Sequence, residues 1–264
     1  MYNSELRDAL LNTRVVSRYL RRSVERDMRG FSLHYQPQAD REGRVIGAEA
    51  LLRWDPQCGH VVGPTLFVPL LERSRKIVPV GRWAFSEATR QLVAFRAAGV
   101  SLKRISVNVS AWQLSPAFAA FVVDETARAG LVPADVTLEL IESQAVSDSG
   151  RFADTIRALS AEGYTWEIDD FGTGYASMRW LRKLTFAGLK LDRSLLIGTG
   201  EPPGLLRGIC AMAHAIEMSV TCEGVESQEQ WDRALDAGVD YVQGYRVGRP
   251  VPPCEFSSCA TSTT

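Results

Sequence analysis

The sequence predicts an α/β barrel of eight strands, TIM-like in its (β/α)8 alternation but with an antiparallel first strand. Strand-like and helix-like stretches alternate along most of the chain, which implies a parallel sheet. Eight strands are laid out over 264 residues, a length at which a single α/β barrel usually closes. The first two strands are joined by a turn far shorter than the roughly dozen residues that a parallel crossover needs, so they pair as antiparallel neighbours.

From Ser4 to about Asp27, Leu10, Leu11, Val15, Val16, Tyr19 and Leu20 recur at helical spacing among many arginines. Glu5, Asp8, Glu25 and Asp27 dilute the positive face, which favours a surface or linker helix over a membrane-binding one. It reads either as the tail of a linker from a sensor or cyclase domain outside this chain or as a helix packed under the barrel. Phe31 to Gln38 alternates as a strand, the turn Asp40-Arg41-Glu42-Gly43 follows, and Val45 to Trp54 is the second strand. Thr65 to Ser74 and Gly81 to Ala98 are helical, and Gly99 ends the second of these.

A regular alternation then sets in. Strand Arg104 to Val109 precedes helix Pro116 to Ala129, and strand Val136 to Ile141 precedes helix Gly150 to Glu162. Strand Thr165 to Asp169 leads into a glycine loop and a short helix ending near Lys183. Strand Gly188 to Leu191 is followed by helix Gly204 to Met218, strand Ser219 to Cys222 by helix Gln228 to Ala237, and Tyr241-Val242 forms the last strand. Residues 1–29 are thus an N-terminal helix, 30–254 the barrel, and 255–264 a disordered tail, since Pro252-Pro253 and the small polar run Ser257 to Thr264 read as a frayed end.

Composition narrows the class. The chain is 45% hydrophobic and 23% charged, with net charge -1 and its basic residues spread along the length; polymeric nucleic acid is not an expected partner. Five cysteines without a CxxC pair suggest neither a disulfide framework nor a zinc site, and reduced thiols in a cytoplasm are expected. No run of about 18 apolar residues offers a membrane span, and the charged opening residues do not read as a signal peptide.

The chemistry gathers at strand ends. Asp169 and Asp170 close the fifth strand, and two adjacent carboxylates are unfavourable without a cation beside them. Glu49, Asn108, Glu139, Glu142, Lys190, Glu223 and Gln243 occupy comparable positions on or after the other strands, and in a barrel these ends converge on one mouth. Carboxylates with an amide oxygen, and neither Cys nor His, are hard ligands suited to Mg2+ or Mn2+. So many acids are better matched to two divalent ions sharing a bridging carboxylate, for which Asp169 is the natural residue. Lys190, held charged by these neighbours, can orient or activate a water and offset charge on a phosphoryl group.

Tyr35-Gln36-Pro37, Glu49-Ala50-Leu51-Leu52-Arg53-Trp54, Asn108-Val109-Ser110, Glu139-Leu140-Ile141-Glu142-Ser143, Asp169-Asp170-Phe171-Gly172-Thr173-Gly174-Tyr175, Leu189-Lys190-Leu191-Asp192, Glu223-Gly224-Val225-Glu226 and Gln243-Gly244-Tyr245 together resemble the EAL-domain phosphodiesterases. The resemblance runs from about Phe31 to Pro253. It implies hydrolysis of cyclic di-GMP to linear pGpG by a two-metal mechanism with a metal-activated water, on a barrel with a reversed first strand, in a homodimer. By that resemblance Glu49, Asn108, Glu139 and Asp169 hold one ion, and Asp169, Asp170 and Glu223 the other. Glu49, Asp169, Lys190 and Gln243 are its catalytic positions. Gln36, Leu52 and Arg53 contact substrate, with Arg53 on a phosphate. Glu142, Gly172, Thr173, Gly174 and Glu226 support the loop after the fifth strand.

Three departures from the family's pattern stand out: Ile141 stands where Thr is usual, Ala176 where the loop usually has Ser, and Arg75-Lys76 where Gly-Leu is common. The first two put loop order in doubt through lost hydrogen bonds. A cyclic di-GMP receptor without catalysis, or an adaptor that binds no nucleotide, has no need of a complete ligand set, and this sequence keeps it.

Overall fold

The computed structural model describes residues 13–56, 62–141, 150–172, 181, 184–197 and 204–261. Its eight strands close into one barrel in chain order. β1 (Phe31–Asp40) pairs antiparallel with β2 (Val45–Trp54) and with β8 (Tyr241–Gln243). All other pairings, through β3 (Arg104–Val109), β4 (Val136–Ile141), β5 (Thr165–Phe171), β6 (Gly188–Leu191) and β7 (Ser219–Cys222), are parallel. The reversal of β1 is set by its turn. Asp40 Oδ1 accepts from the backbone N–H of Glu42 and of Arg44, while Arg44 Nε donates to Oδ2 at 2.8 Å.

Each strand sorts its side chains by alternation. Ile105, Val107, Val109, Val136, Leu138, Leu140, Ile168, Leu189 and Val220 belong to one buried apolar core, which the surrounding helices cover. The intervening residues, among them Ser106, Thr137, Glu139, Glu167, Lys190 and Thr221, are buried and polar. They fill the lumen, where barrels of this kind usually place branched aliphatic side chains.

The helices are α1 (Thr13–Glu25), α2 (Pro64–Arg73), α3 (Ile77–Ala97), α4 (Pro116–Arg128), α5 (Gly150–Ala161), α6 (Ser194–Ile197), α7 (Leu205–Ala215), α8 (Gln228–Ala237) and α9 (Pro253–Thr261). α1 packs onto the barrel. Its Val16 and Leu20 join Phe31, Trp54, Phe67 and Leu71 in a second apolar cluster, and Trp54 Nε1 donates to Ser23 Oγ at 3.0 Å.

Two expectations need correction. Of the tail expected to be disordered over 255–264, the described part, 255–261, is helical: α9 runs to Thr261 and buries Phe256 against Phe95 and Tyr35, ring centroids 4.7 and 6.3 Å apart. α3 begins at Ile77 rather than Gly81. Gly81 lies inside the helix, where the close approach of Gln113 leaves no room for a side chain: a Cβ there would stand 2.2 Å from the Gln113 side-chain nitrogen.

Candidate metal-binding and catalytic site

The two aspartates reach one site through a bulge. The β5–β6 register shifts between Ile168 and Phe171, and Asp170 takes φ 56, a left-handed conformation that Asp tolerates better than most residues. The strand continues to Phe171 instead of ending at Asp169, so the extra residue of the bulge, not the strand end, re-aims the second carboxylate. Gly172 follows at φ 103, and a Cβ on it would meet Leu195 Cδ1 at 2.9 Å.

Lys190 is completely buried, and four carboxylates surround its Nζ: Glu223 at 2.7 Å, Glu139 at 2.8 Å, Glu49 at 3.1 Å and Asp169 at 3.4 Å. Gln243 Nε2 donates to Glu49 Oε2 at 2.6 Å and to Gln36 Oε1 at 3.1 Å. Asn108 Nδ2 donates to Glu49 Oε1 at 2.6 Å. All eight strands, the reversed β1 included, thereby place a residue on or directly after them at one end of the barrel.

One lysine cannot neutralise so many acids. Burial opposes the charge on Lys190, but Asp169, Glu139, Glu223 and Glu49 together raise it well above an ordinary lysine. Glu139 is pushed well above the usual carboxylate range, first by burial and then by the charge of Glu49. Burial also lifts Asp169 against the pull of Lys190 and raises Glu223 to about 8. Asp170 rises to about 6 through burial and then the charges of Asp169 and Asp192. Glu49 goes the other way: burial acts to raise it, but Lys190 and the hydrogen bonds from Gln243, Lys190 and Asn108 hold it below the usual range.

That excess of acid fits divalent cations. Ligand oxygens of Glu49, Glu139 and Asp169 lie within 4.8 Å of one another, as do those of Asp169, Asp170 and Glu223. The two triads share Asp169, and Glu139 Oε1 is buried without a hydrogen-bond partner among the described residues. Oxygen donors of this kind suit Mg2+ or Mn2+.

The triads open into a cavity of about 470 Å3 whose lining includes Leu52, Arg53, Asp192, Arg193, Glu226 and Tyr245. A larger recess of about 750 Å3 runs along Leu205, Arg207, Glu229 and Asp236. It lies outside the barrel and touches none of the lumen carboxylates, so size alone does not mark the site.

The model of the EAL domain matches residues 17–250. The chain belongs to the EAL domain family. It is 36% identical over 239 residues to the bifunctional diguanylate cyclase/cyclic di-GMP phosphodiesterase MucR of Pseudomonas aeruginosa, covering 88% of this chain and 34% of that protein. It is 33% identical over 243 residues to the cyclic di-GMP phosphodiesterase PdeR of Escherichia coli, covering 90% and 36%. The chain thus spans about a third of the length of these relatives. Among solved structures, the PaMucR phosphodiesterase in its c-di-GMP complex superposes with a TM-score of 0.82 at 32% identity, covering 91% of this chain and 99% of that one. The EAL domain of Mycobacterium smegmatis DcpA gives 0.73 at 30%, covering 88% and 98%.

Of the EAL positions singled out from sequence, Gln36, Glu49, Asn108, Glu139, Asp169, Asp170, Lys190, Glu223 and Gln243 come together, with Leu52 and Arg53 on the cavity wall. Glu226 sits at the rim, 3.8 Å from Arg193. Glu142, Thr173, Gly174 and Ala176 lie outside the described residues, as does the side chain of Ile141. Sequence reasoning passed over Gln38, whose Nε2 donates to Gln243 Oε1 at 3.0 Å. Its offset of two from Gln36 was the available signal, since alternate strand residues share a face. Arg75, one of the departures, takes φ 58, where glycine is at ease, and stacks its guanidinium 3.4 Å from the ring centre of the half-exposed Trp112.

Proposed function

We propose that this chain hydrolyses cyclic di-GMP to linear pGpG with the help of two divalent cations, Mg2+ or Mn2+. The observation that carries this reading is the pair of oxygen triads sharing Asp169 around a fully buried Lys190. The EAL relatives named as cyclic di-GMP phosphodiesterases support the choice of substrate.

In this reading Glu49, Asn108, Glu139 and Asp169 hold one ion and Asp169, Asp170 and Glu223 the other. Bound there, the ions supply Lewis acidity to a water and to the phosphoryl oxygens. Lys190 orients the attacking water and offsets negative charge on phosphorus as it develops. Gln243 holds Glu49 by its hydrogen bond and is itself held by Gln38, so this ligand does not turn away. Arg53 and Gln36 receive the nucleotide, with Leu52 forming an apolar wall. Water oxygen bonds to phosphorus, the P–O3′ bond breaks, and the departing 3′-oxygen takes a proton, leaving a 5′-phosphate and a 3′-hydroxyl. Gly172, Thr173, Gly174, Glu142 and Glu226 support the loop after β5. The working form is a homodimer in the cytoplasm, within a larger protein that carries a sensor or cyclase domain; among the described residues no helix is long and apolar enough to cross a membrane.

The test is incubation of purified protein with cyclic di-GMP and Mg2+ or Mn2+, with and without EDTA, resolving products by chromatography. Metal-dependent pGpG is expected. Asp169→Asn breaks both triads at once and is expected to lower turnover by about a thousandfold or more, on the order of 4 kcal/mol of barrier, with melting intact. Binding of cyclic di-GMP without turnover under either metal would replace the enzyme by a receptor.

A further inference from the structure

Below the mouth, the lumen holds a second layer of buried charge. Glu167 on β5 is 1% exposed and lies in register with Glu139 on β4, so the two carboxylates share the lumen face on adjacent strands. Arg104, the first residue of β3, approaches from the far end and places its guanidinium 3.4 Å from Glu167 and 4.7 Å from the centre of the Tyr241 ring. Two glycines make room for this pair. A Cβ on Gly47 would stand 3.2 Å from the Arg104 side chain, and one on Gly188 would stand 3.1 Å from that of Glu167.

The pair is also unsaturated in hydrogen bonds. Neither oxygen of Glu167 has such a partner among the described residues, and the same holds for Nε and Nη2 of Arg104 and for Oε1 of Glu139. Buried charged atoms of this kind need water or an opposite charge close by. Glu139 is thus held by Lys190, 2.8 Å from its Oε2, while the neighbouring lumen carboxylate in register with it, Glu167, engages Arg104.

We propose that Glu167 is a positioning residue for the metal centre: it occupies Arg104 and repels Glu139, so that the Glu139 carboxylate stays aimed at the mouth. This rests on the reading of Glu139 as a metal ligand. Without the Glu167 charge, Arg104 is an uncompensated cation in the lumen, and the in-register Glu139 is the carboxylate it can turn to.

Calorimetric titration of the whole chain with Mn2+ tests this, comparing the parent, Glu167→Gln and the double variant Arg104→Met/Glu167→Gln, with melting curves in EDTA as the check on folding. Substitutions behind a metal ligand typically lower affinity about 10–100-fold. Glu167→Gln is expected to weaken Mn2+ binding by about tenfold or more, and the double variant to return to within about threefold of the parent, because no cation is left to draw Glu139 away. A purely structural role gives the opposite order, with the double variant the weaker. Parent-like affinity in Glu167→Gln, or no recovery in the double variant, overturns the proposal and leaves the metal site standing. A parent that binds no Mn2+ overturns both. Where Glu167→Gln does not fold, Glu167→Asp keeps the charge but shortens its reach to Arg104; a loss of about threefold or more is expected, and parent-like binding overturns the proposal.

Discussion

On β3 the outward side chains Ile105, Val107 and Val109 are buried hydrocarbon packed into the main core, whereas the inward ones, Arg104, Ser106 and Asn108, are polar and face the lumen. The same division runs around the barrel: Leu138 against Glu139, Ile168 against Asp169, Leu189 against Lys190. The outward face gains free energy from burial, at about 25 cal/mol for each Å2 of apolar surface removed from water. The inward face spends part of that gain, since ionised groups out of water are costly unless paired. Four acids around one lysine are under-compensated, and this is the condition in which a site prefers added cations to an empty interior. The two faces of one strand thus set stability and function separately, and substitutions on each should have different signatures.

Lys190→Met gives the largest separation. It removes the one cation that, among the described residues, pairs with Glu49, Glu139, Asp169 and Glu223. Breaking a buried ionic group by deleting one partner typically destabilises by about 3–5 kcal/mol. The loss is expected in EDTA and is expected to shrink when Mn2+ is added, because divalent ions replace the missing charge. Differential scanning calorimetry with and without metal reads both, and equal destabilisation in the two conditions would separate Lys190 from the cation site.

Leu138→Ala probes the other face one residue away from Glu139. Leu138 is fully buried in the main core, and such truncations cost about 2–5 kcal/mol. The loss is expected to be the same in EDTA and in Mn2+, with kcat per folded molecule near that of the parent. A strong metal dependence of this loss would mean that the two faces are not separable.

Much of this division is written in the sequence as a period of two. Val45–Trp54, Arg104–Val109, Val136–Ile141, Gly188–Leu191 and Ser219–Cys222 have the strand limits expected from that alternation, and the acids and amides singled out at strand ends converge wherever the structure describes their side chains. What stayed hidden depends on contacts between distant segments. Phe256 is the one aromatic of a tail of mostly small and polar residues, and its packing on Tyr35 and Phe95 is what the tail's own sequence does not show. Gly81 looks like a helix start until Gln113 is seen against it. Glu167 sits two residues before Asp169 and in the lumen, but Arg104, 63 positions earlier in the chain, is what gives it a role. The bulge at Asp169-Asp170 has no local turn signal before Gly172, because its cause is the register of β5 against β6.

Asp170→Asn is the smallest of these effects and the one whose pH dependence has a definite sign. Asparagine keeps the left-handed backbone at φ 56 and removes one charge from the second triad. Burial and the charges of Asp169 and Asp192 raise Asp170 from 3.8 to about 6, so the folded protein holds this proton more tightly than the unfolded chain does. Its contribution to stability is therefore fully present below about pH 4 and is lost as the pH rises through about 6. The variant lacks that loss. In EDTA it should match the parent near pH 4 and exceed it at pH 7.5 by about 1 kcal/mol, after allowance for solvent screening of a carboxylate that is far from fully buried. In Mn2+ the order should reverse, since the parent regains stability from the ion that the variant binds poorly. Melting curves at both pH values, with and without metal, contain the whole comparison. A parent that outlasts the variant at pH 7.5 in EDTA would show that the folded protein favours the ionised form of Asp170, against the rise that burial and the charges of Asp169 and Asp192 produce.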